Sequence, residues 1–189
     1  VHDRHAAWYV RFAEQAEPAL HRSEQVAWLD RLEVEHDNLR AAMAWAVETG
    51  EAEIAHRLLA AIWRFWQFRG HIAEGRERAE QVLAMPGADA PTAWRMRALQ
   101  AGGGLAWWGG DVPGADQLYQ LQVELARQLG DEQGIAEALF NLAHTRFVMS
   151  PEPAQSVNLR SEAQALARKV GDERLLVRLI WSAGYALMA

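Results

Sequence analysis

Four ionisable side chains lie within five residues of one another: Glu33, Glu35, His36 and Asp37. Carboxylates with a histidine are groups used for general acid–base chemistry or for binding a metal ion. On a helix only residues three or four positions apart share a face, so Glu33 pairs with His36 or Asp37 and gives two ligands at most. His36 would need partners from elsewhere in the chain. We therefore interpret the cluster as a solvated helix face with ion pairs to nearby arginines, and we predict no metal site.

A run of glycines is the next feature that suggests chemistry. Gly102, Gly103 and Gly104 precede Gly109 and Gly110, and glycine-rich loops can bind phosphate. No Gly-Lys-Ser/Thr follows the run and no strand precedes it, as a phosphate-binding loop would require. The glycines instead indicate close packing between helices. No glycine elbow surrounds a serine and no cysteine is present, so we predict a protein that is not an enzyme and uses no cofactor.

Composition limits the class of protein further. The chain has 189 residues, half of them apolar, and a formal net charge of −6. This charge argues against direct contact with nucleic acid, which needs a clustered basic face. No run of eighteen apolar residues and no signal peptide is present, so no membrane contact is expected. Because the sequence starts at Val1 without methionine, we expect a fragment of a longer cytoplasmic protein.

A repeat of forty residues is the strongest pattern in the sequence. A leucine recurs at this spacing, a small residue follows four positions after the last three leucines, and a large apolar residue follows four positions later again. The leucines are Leu59, Leu99, Leu139 and Leu179; the small residues are Gly103, Ala143 and Ala183; the large ones are Trp107, Phe147 and Leu187. A period of this length indicates a repeated supersecondary unit, and such units bury their apolar faces by stacking.

Apolar periodicity predicts helices throughout and no strand. We predict an all-α fold, a right-handed superhelix of antiparallel helix pairs with about nine helices. Pro18 should end or kink the first helix, and Ser23 should cap the second. Glycines at 50, 70, 130 and 171 should end helices, and the aspartates at 131 and 172 should cap the next ones. The predicted helices are 3–17, 23–49, 52–69, 72–85, 92–108, 113–129, 132–149, 154–170 and one starting at 173.

The forty-residue units resemble tetratricopeptide repeats of the longer type. The resemblance rests on Leu142, Ala143 and Phe147, on Gly103 with Trp107, and on the Leu-Gly-Asp and Val-Gly-Asp phrases that end two helices. It implies an α-solenoid in which residues 51–189 form the repeats and residues 1–50 form a helical hairpin leading from an upstream module. The repeats are predicted at 51–90, 91–130, 131–171 and, in part, 172–189.

A second resemblance concerns the segment from Trp28 to Ala46. With the phrases at 4–9, 63–66 and 69–71, this segment resembles large bacterial regulators of the LuxR and STAND classes, of the actinobacterial type. In these signalling ATPases an NTPase module precedes a repeat array. The resemblance implies a sensor arm that binds a protein, peptide or small effector and relays binding to the NTPase module of the full-length protein. A plain adaptor for protein complexes and a homo-oligomerisation module remain alternatives.

Resemblance to tetratricopeptide repeats also implies where a partner binds. In such arrays the position after the small residue points into a concave groove, which here would have cationic ends and an aromatic floor suited to an acidic or amphipathic peptide. Burial of the aromatic residues in the core is the competing interpretation. The predicted groove residues are Arg57, Arg64, Gln67, Arg97, Gln100, Gly104, Trp107, Trp108, Asn141, His144 and Phe147.

Overall fold

The computed structural model describes residues 2–149 and 153–186, and these residues form α-helices and turns without any strand. The all-α prediction is confirmed, although the described residues form ten helices where the sequence predicted about nine. The helices are α1 His2–Ala19, α2 Gln25–Val34, α3 His36–Thr49, α4 Ala52–Arg69, α5 Ile72–Ala84, α6 Ala93–Trp108, α7 Val112–Leu129, α8 Glu132–Met149, α9 Pro153–Val170 and α10 Glu173–Ala186.

The additional helix results from a break in the predicted helix 23–49. The chain leaves helical geometry at Glu35, whose φ and ψ are −94° and 7°, so α2 ends at Val34 and α3 begins at His36. Tyr9 and Asn38 both donate to the Glu35 carboxylate, at 2.6 and 2.8 Å. These two hydrogen bonds hold the break against α1 and the first turn of α3.

Two predictions about helix ends near the amino terminus need correction. Ser23 is not the cap of α2, because this helix begins at Gln25 after Glu24, and Glu24 makes no side-chain cap bond. The Gln25 N–H already donates to the backbone oxygen of Arg22, at 3.1 Å, so no side chain is needed there. Pro18 lies inside the last turn of α1, which ends one residue later at Ala19.

The predictions that glycines end helices and that the aspartates after two of them cap the next helices are confirmed. Gly130 and Gly171 have φ angles of 68° and 74°, in the left-handed region that a side chain rarely adopts. Asp131 Oδ1 accepts from the Gly134 N–H, and Asp172 Oδ1 accepts from the Leu175 N–H, both at 2.9 Å. Each phrase therefore ends one helix and caps the next, as the repeat pattern requires.

The chain divides into two compact units, one ending at Asp111 and the next beginning at Val112. In unit 1, α4 packs against α1, α3, α5 and α6, and its Phe65 and Trp66 are almost completely buried. In unit 2, α8 packs between α7 and α9, and α10 follows on α9. The predicted boundary between residues 50 and 51 stays a prediction.

A buried polar network fixes α7 to α8 in unit 2. Thr145 Oγ1 and Arg146 Nε both donate to Asp116 Oδ1, at 2.7 and 2.6 Å. The buried carboxylate therefore has a cationic partner and a hydroxyl partner, which offsets the cost of removing it from water.

In the described residues, none of the helices is both long and apolar enough to span a lipid bilayer.

Candidate binding surfaces

Arg64 and Gln67 form the first group of predicted groove residues in unit 1, and Trp63 lies beside them. The Arg64 guanidinium lies 3.9 Å from the centroid of the Trp63 ring, and Arg64 Nη1 donates to Gln67 Oε1 at 2.6 Å. Both residues are half-buried. A planar cation stacked on an indole is held in place by the ring and by its hydrogen bond, so it is already ordered.

Gly104 supports this group from α6 rather than lining a groove. It is buried, and a Cβ atom built on it would lie within 3.0 Å of three atoms of the Trp63 ring. The absence of a side chain therefore lets α4 and α6 approach each other at this point. The sequence interpretation of the glycine run as a helix-packing feature fits this contact.

Replacing Gly104 with alanine should destabilise unit 1. Alanine would add helix propensity of about 1 kcal/mol. However, the added methyl group would overlap the Trp63 ring, and overpacking costs about 1–3 kcal/mol. We expect a net loss in the free energy of unfolding, measured by urea titration. In a Trp63→Leu background, which removes the overlapping ring atoms, the same change should cost less; an equal loss in both backgrounds would show that the ring is not the obstacle.

Arg57 and Arg97 form a second group with a tryptophan that the sequence analysis missed. Arg57 Nε and Nη2 donate to the two Glu14 oxygens at 2.7 and 2.9 Å, and Arg97 Nη2 reaches the Glu17 carboxylate at 2.5 Å. The ring of Trp94 lies 5.0 and 5.2 Å from the two guanidinium carbons. Both cations are therefore already paired with α1, which reduces the positive charge that we expected this surface to offer.

The remaining groove residues differ in exposure. Trp108 is 56% exposed, whereas Gln100 and Trp107 are half-buried on the same helix. In unit 2, Asn141 and Phe147 are half-buried on α8. A continuous groove through all of the predicted residues stays a prediction.

A cavity of about 540 Å³ in unit 2 contains another predicted groove residue, His144. The cavity lies between α8 and α10. Trp181 at its edge is 70% exposed, although its indole is large and apolar. The lining side chains are Phe140, His144, Val177, Arg178, Trp181 and Ser182.

The cavity combines aromatic surface with a guanidinium group whose charge is partly offset by a neighbouring carboxylate. The Arg178 guanidinium lies 4.5 Å from the centroid of the Phe140 ring, and Arg178 Nη1 donates to Glu137 Oε1 at 2.5 Å. Burial lowers the pKa of His144, and the charges of Arg160 and Arg178 lower it further. The imidazole is therefore neutral near pH 7 and can donate one hydrogen bond and accept another. Such a cavity fits an aromatic or anionic group.

Spacing in the sequence could have predicted which residues of each helix share the face that lines this cavity. Phe140 precedes His144 by four positions, and Val177 precedes Trp181 by four, so each pair lies on one helix face. What the sequence could not show was that the two faces meet, because α8 and α10 are separated by the whole of α9.

The charged cluster that opened the sequence analysis is only partly a solvated face. The predicted ion pair exists, with Arg40 Nη1 donating to Asp37 Oδ1 at 2.8 Å. However, Arg40 also reaches Glu74 on α5, and His36 is only 5% exposed. The break at Glu35 turns His36 inward, so the assumption of one continuous exposed helix was wrong.

Comparison with known proteins shows what the chain is similar to. No family model matches the chain. Proteins from Mycobacterium bovis and two strains of Mycobacterium tuberculosis, named as predicted HTH-type transcriptional regulators, are 29% identical to it over 191 aligned residues. The alignment covers 97% of the chain but 21% of each regulator, so the chain spans about a fifth of the length of these curated relatives.

A solved structure supports the fold alone. BtubC (BKLC) from P. vanneervenii aligns with a TM-score of 0.51 over 100% of this chain and 92% of its own, at 14% sequence identity. The chain is thus an all-α protein of the helical-repeat kind, similar in sequence to one segment of much longer regulators.

Proposed function

We propose that this chain is a non-catalytic binding arm of a bacterial transcriptional regulator, and that it senses a protein, peptide or small effector. Its similarity to predicted transcriptional regulators over 97% of its length supports the regulatory context. The tetratricopeptide-like register supports the role of a binding surface, because stacked repeats of this kind present extended surfaces to partners.

The observation that carries the binding role is the cavity between α8 and α10. Its volume of about 540 Å³ is within the range of small-ligand sites. An exposed tryptophan, a phenylalanine, an arginine and a neutral histidine line it, and these groups recognise aromatic rings and anions together. An effector with both features, or an acidic peptide carrying an aromatic side chain, is the ligand class that fits.

We further propose that binding is relayed to an NTPase module of the full-length protein. The segment Trp28–Ala46 and its accompanying phrases motivate this step, since they resemble regulators in which such a module precedes the repeats. A phosphate-binding loop encoded upstream in the same gene would support the relay. If no such loop is encoded, a plain adaptor or a homo-oligomerisation module explains the binding surface better.

Changing the cavity should weaken binding of an aromatic anion without unfolding the chain. We expect anilinonaphthalene sulfonate to bind the purified chain, and Trp181→Ala to weaken its affinity about tenfold through loss of aromatic contact. The matched control is Ile180→Ala, because Ile180 is 65% exposed on the same helix and does not line the cavity. Fluorescence titration gives the affinities, and circular dichroism checks the fold.

The same two variants test the function in the full-length regulator. Trp181→Ala should alter the output of a promoter fused to a reporter gene, whereas Ile180→Ala should leave it unchanged. If both variants match the wild type in dye binding and in reporter output, the cavity is not the effector site.

A further inference from the structure

Two histidines and a glutamate converge where three elements of unit 1 meet. Glu33 belongs to the last turn of α2, His36 opens α3, and His71 lies between α4 and α5. The ring centroids of the histidines are 4.8 Å apart. One ligand atom from each of the three side chains lies within 4.8 Å of the other two. Three side chains able to bind a metal ion thus approach a common point from separate parts of the chain.

Local backbone geometry places each of the three residues. The break at Glu35 separates Glu33 from His36, so these two side chains are not constrained by one helix. Gly70 ends α4 with a φ angle of 80°, in the left-handed region, and the His71 N–H then donates to the Trp66 oxygen at 2.9 Å. This turn holds His71 beside the start of α3.

We propose that Glu33, His36 and His71 form a binding site for a zinc ion. Two imidazoles and one carboxylate are a ligand set that zinc accepts, with a fourth position open to water or another residue. His71 Nε2 and Glu33 Oε1 are 3.3 Å apart, which matches the spacing of about 3.4 Å expected for two ligands roughly 2.1 Å from a tetrahedral ion. The site is independent of the proposed effector cavity, which lies in unit 2.

The charge around the cluster favours a cation. Arg40 pairs with two carboxylates at 2.5 and 2.8 Å. Arg69 pairs with two others, and its Nε is 3.9 Å from the carboxylate of Glu33. In these ion pairs, four carboxylates share two guanidinium groups, so the six paired side chains together carry a net negative charge. The acids are Asp30, Glu33, Asp37 and Glu74.

His36 presents a lone pair on Nε2, as a metal ligand must, because this nitrogen accepts a hydrogen bond in the structure. Trp66 Nε1 donates to His36 Nε2 at 3.2 Å, and Glu74 Oε1 lies 3.3 Å from the same nitrogen. Ligation through Nε2 would replace the indole N–H with the ion. Both Glu74 oxygens are held by Arg40, so the fourth position would be left to water.

The ion can reach the site from solvent. The side chains of Glu33 and His71 are 44% and 31% exposed, whereas His36 forms the buried end of the cluster. Hard cations such as Ca²⁺ prefer oxygen ligands only, so the two imidazoles select against them.

Titration of the chelator-treated chain with zinc chloride tests the proposal. We expect one ion bound per chain by calorimetry, and a weaker affinity, by roughly tenfold or more, in both His71→Ala and Glu33→Gln. His21→Ala is the matched control, because His21 is an exposed histidine outside the cluster, and its affinity should equal that of the wild type. Calcium chloride should give no binding at the same concentration.

Cobalt substitution gives a second readout that does not depend on the stability of any variant. Co²⁺ bound to the wild-type chain should show the intense visible bands of tetrahedral coordination, and zinc should abolish them by competition. Absence of zinc binding, or zinc binding that survives both cluster variants with unchanged helical content, would overturn the proposal. In that case the three residues form a hydrogen-bonded cluster without an ion.

Discussion

Replacing Trp66 with alanine should lower the free energy of unfolding of unit 1 by about 3–5 kcal/mol. The side chain is 1% exposed, and its Cε3 would lie 3.0 Å from a Cβ atom on Gly75. Removing the indole leaves a cavity between α4 and α5 and also removes the N–H that donates to His36. Urea unfolding followed by far-ultraviolet circular dichroism measures the loss.

Trp108→Ala is the matched comparison for this experiment. Trp108 is also a tryptophan near the carboxyl end of a helix of unit 1, but it is 56% exposed at the end of α6. Its removal should change the free energy of unfolding by no more than about 0.5 kcal/mol. Similar losses in the two variants would mean that the packing described for the two tryptophans is wrong.

The contrast between these tryptophans shows what the repeat pattern could and could not predict. The register identified helices and core leucines correctly: Leu59, Leu99, Leu139 and Leu179 are all 2% exposed or less. Burial of an apolar residue at a helix centre follows from periodicity, because one face must pack on its neighbours. An aromatic residue near a helix end can be buried or exposed, depending on where the next helix begins, and the sequence leaves that open.

The break at Glu35 was not predictable for a related reason. No glycine or proline marks it, and the apolar periodicity of a helix continues across it, from Leu32 to Leu39. The break is accompanied by hydrogen bonds from Tyr9, which is 26 residues away, and from Asn38. Reasoning from local sequence can consider Asn38, which is three residues from Glu35, but not the distant Tyr9. It therefore predicted one helix across 23–49.

Among the site residues too, contacts within one helix could be predicted from the sequence, and contacts between helices could not. Pairs on one helix, such as Trp94 with Arg97, were within reach of spacing arguments, although we did not use this one. The contact between His36 and His71 could not be predicted from spacing, because 35 positions of sequence separate them and two helices must pack before they meet. A metal site at His36 would need partners from elsewhere in the chain, and His71 lies beside His36 in the structure.

A different histidine should make the stability of unit 1 depend on pH. His56 on α4 is 2% exposed, and its Nε2 is buried without a hydrogen-bond partner in the part of the chain that the structure describes. Burial, with a smaller contribution from the charge of Arg95, lowers its pKa from 6.5 to about 4. Protonation therefore favours the unfolded chain, in which the imidazole is solvated.

Because the folded pKa lies below the unfolded one, the stabilising contribution of neutral His56 is present above about pH 6.5 and is lost as the pH falls towards 4. Between pH 7 and pH 5, the wild type should lose about 2 kcal/mol more in free energy of unfolding than His56→Leu, whose buried side chain does not titrate. Urea unfolding of both proteins at the two pH values gives the difference, and other titrating groups cancel between them. Equal losses in the two proteins would show that His56 is protonated as readily in the folded chain as in the unfolded one.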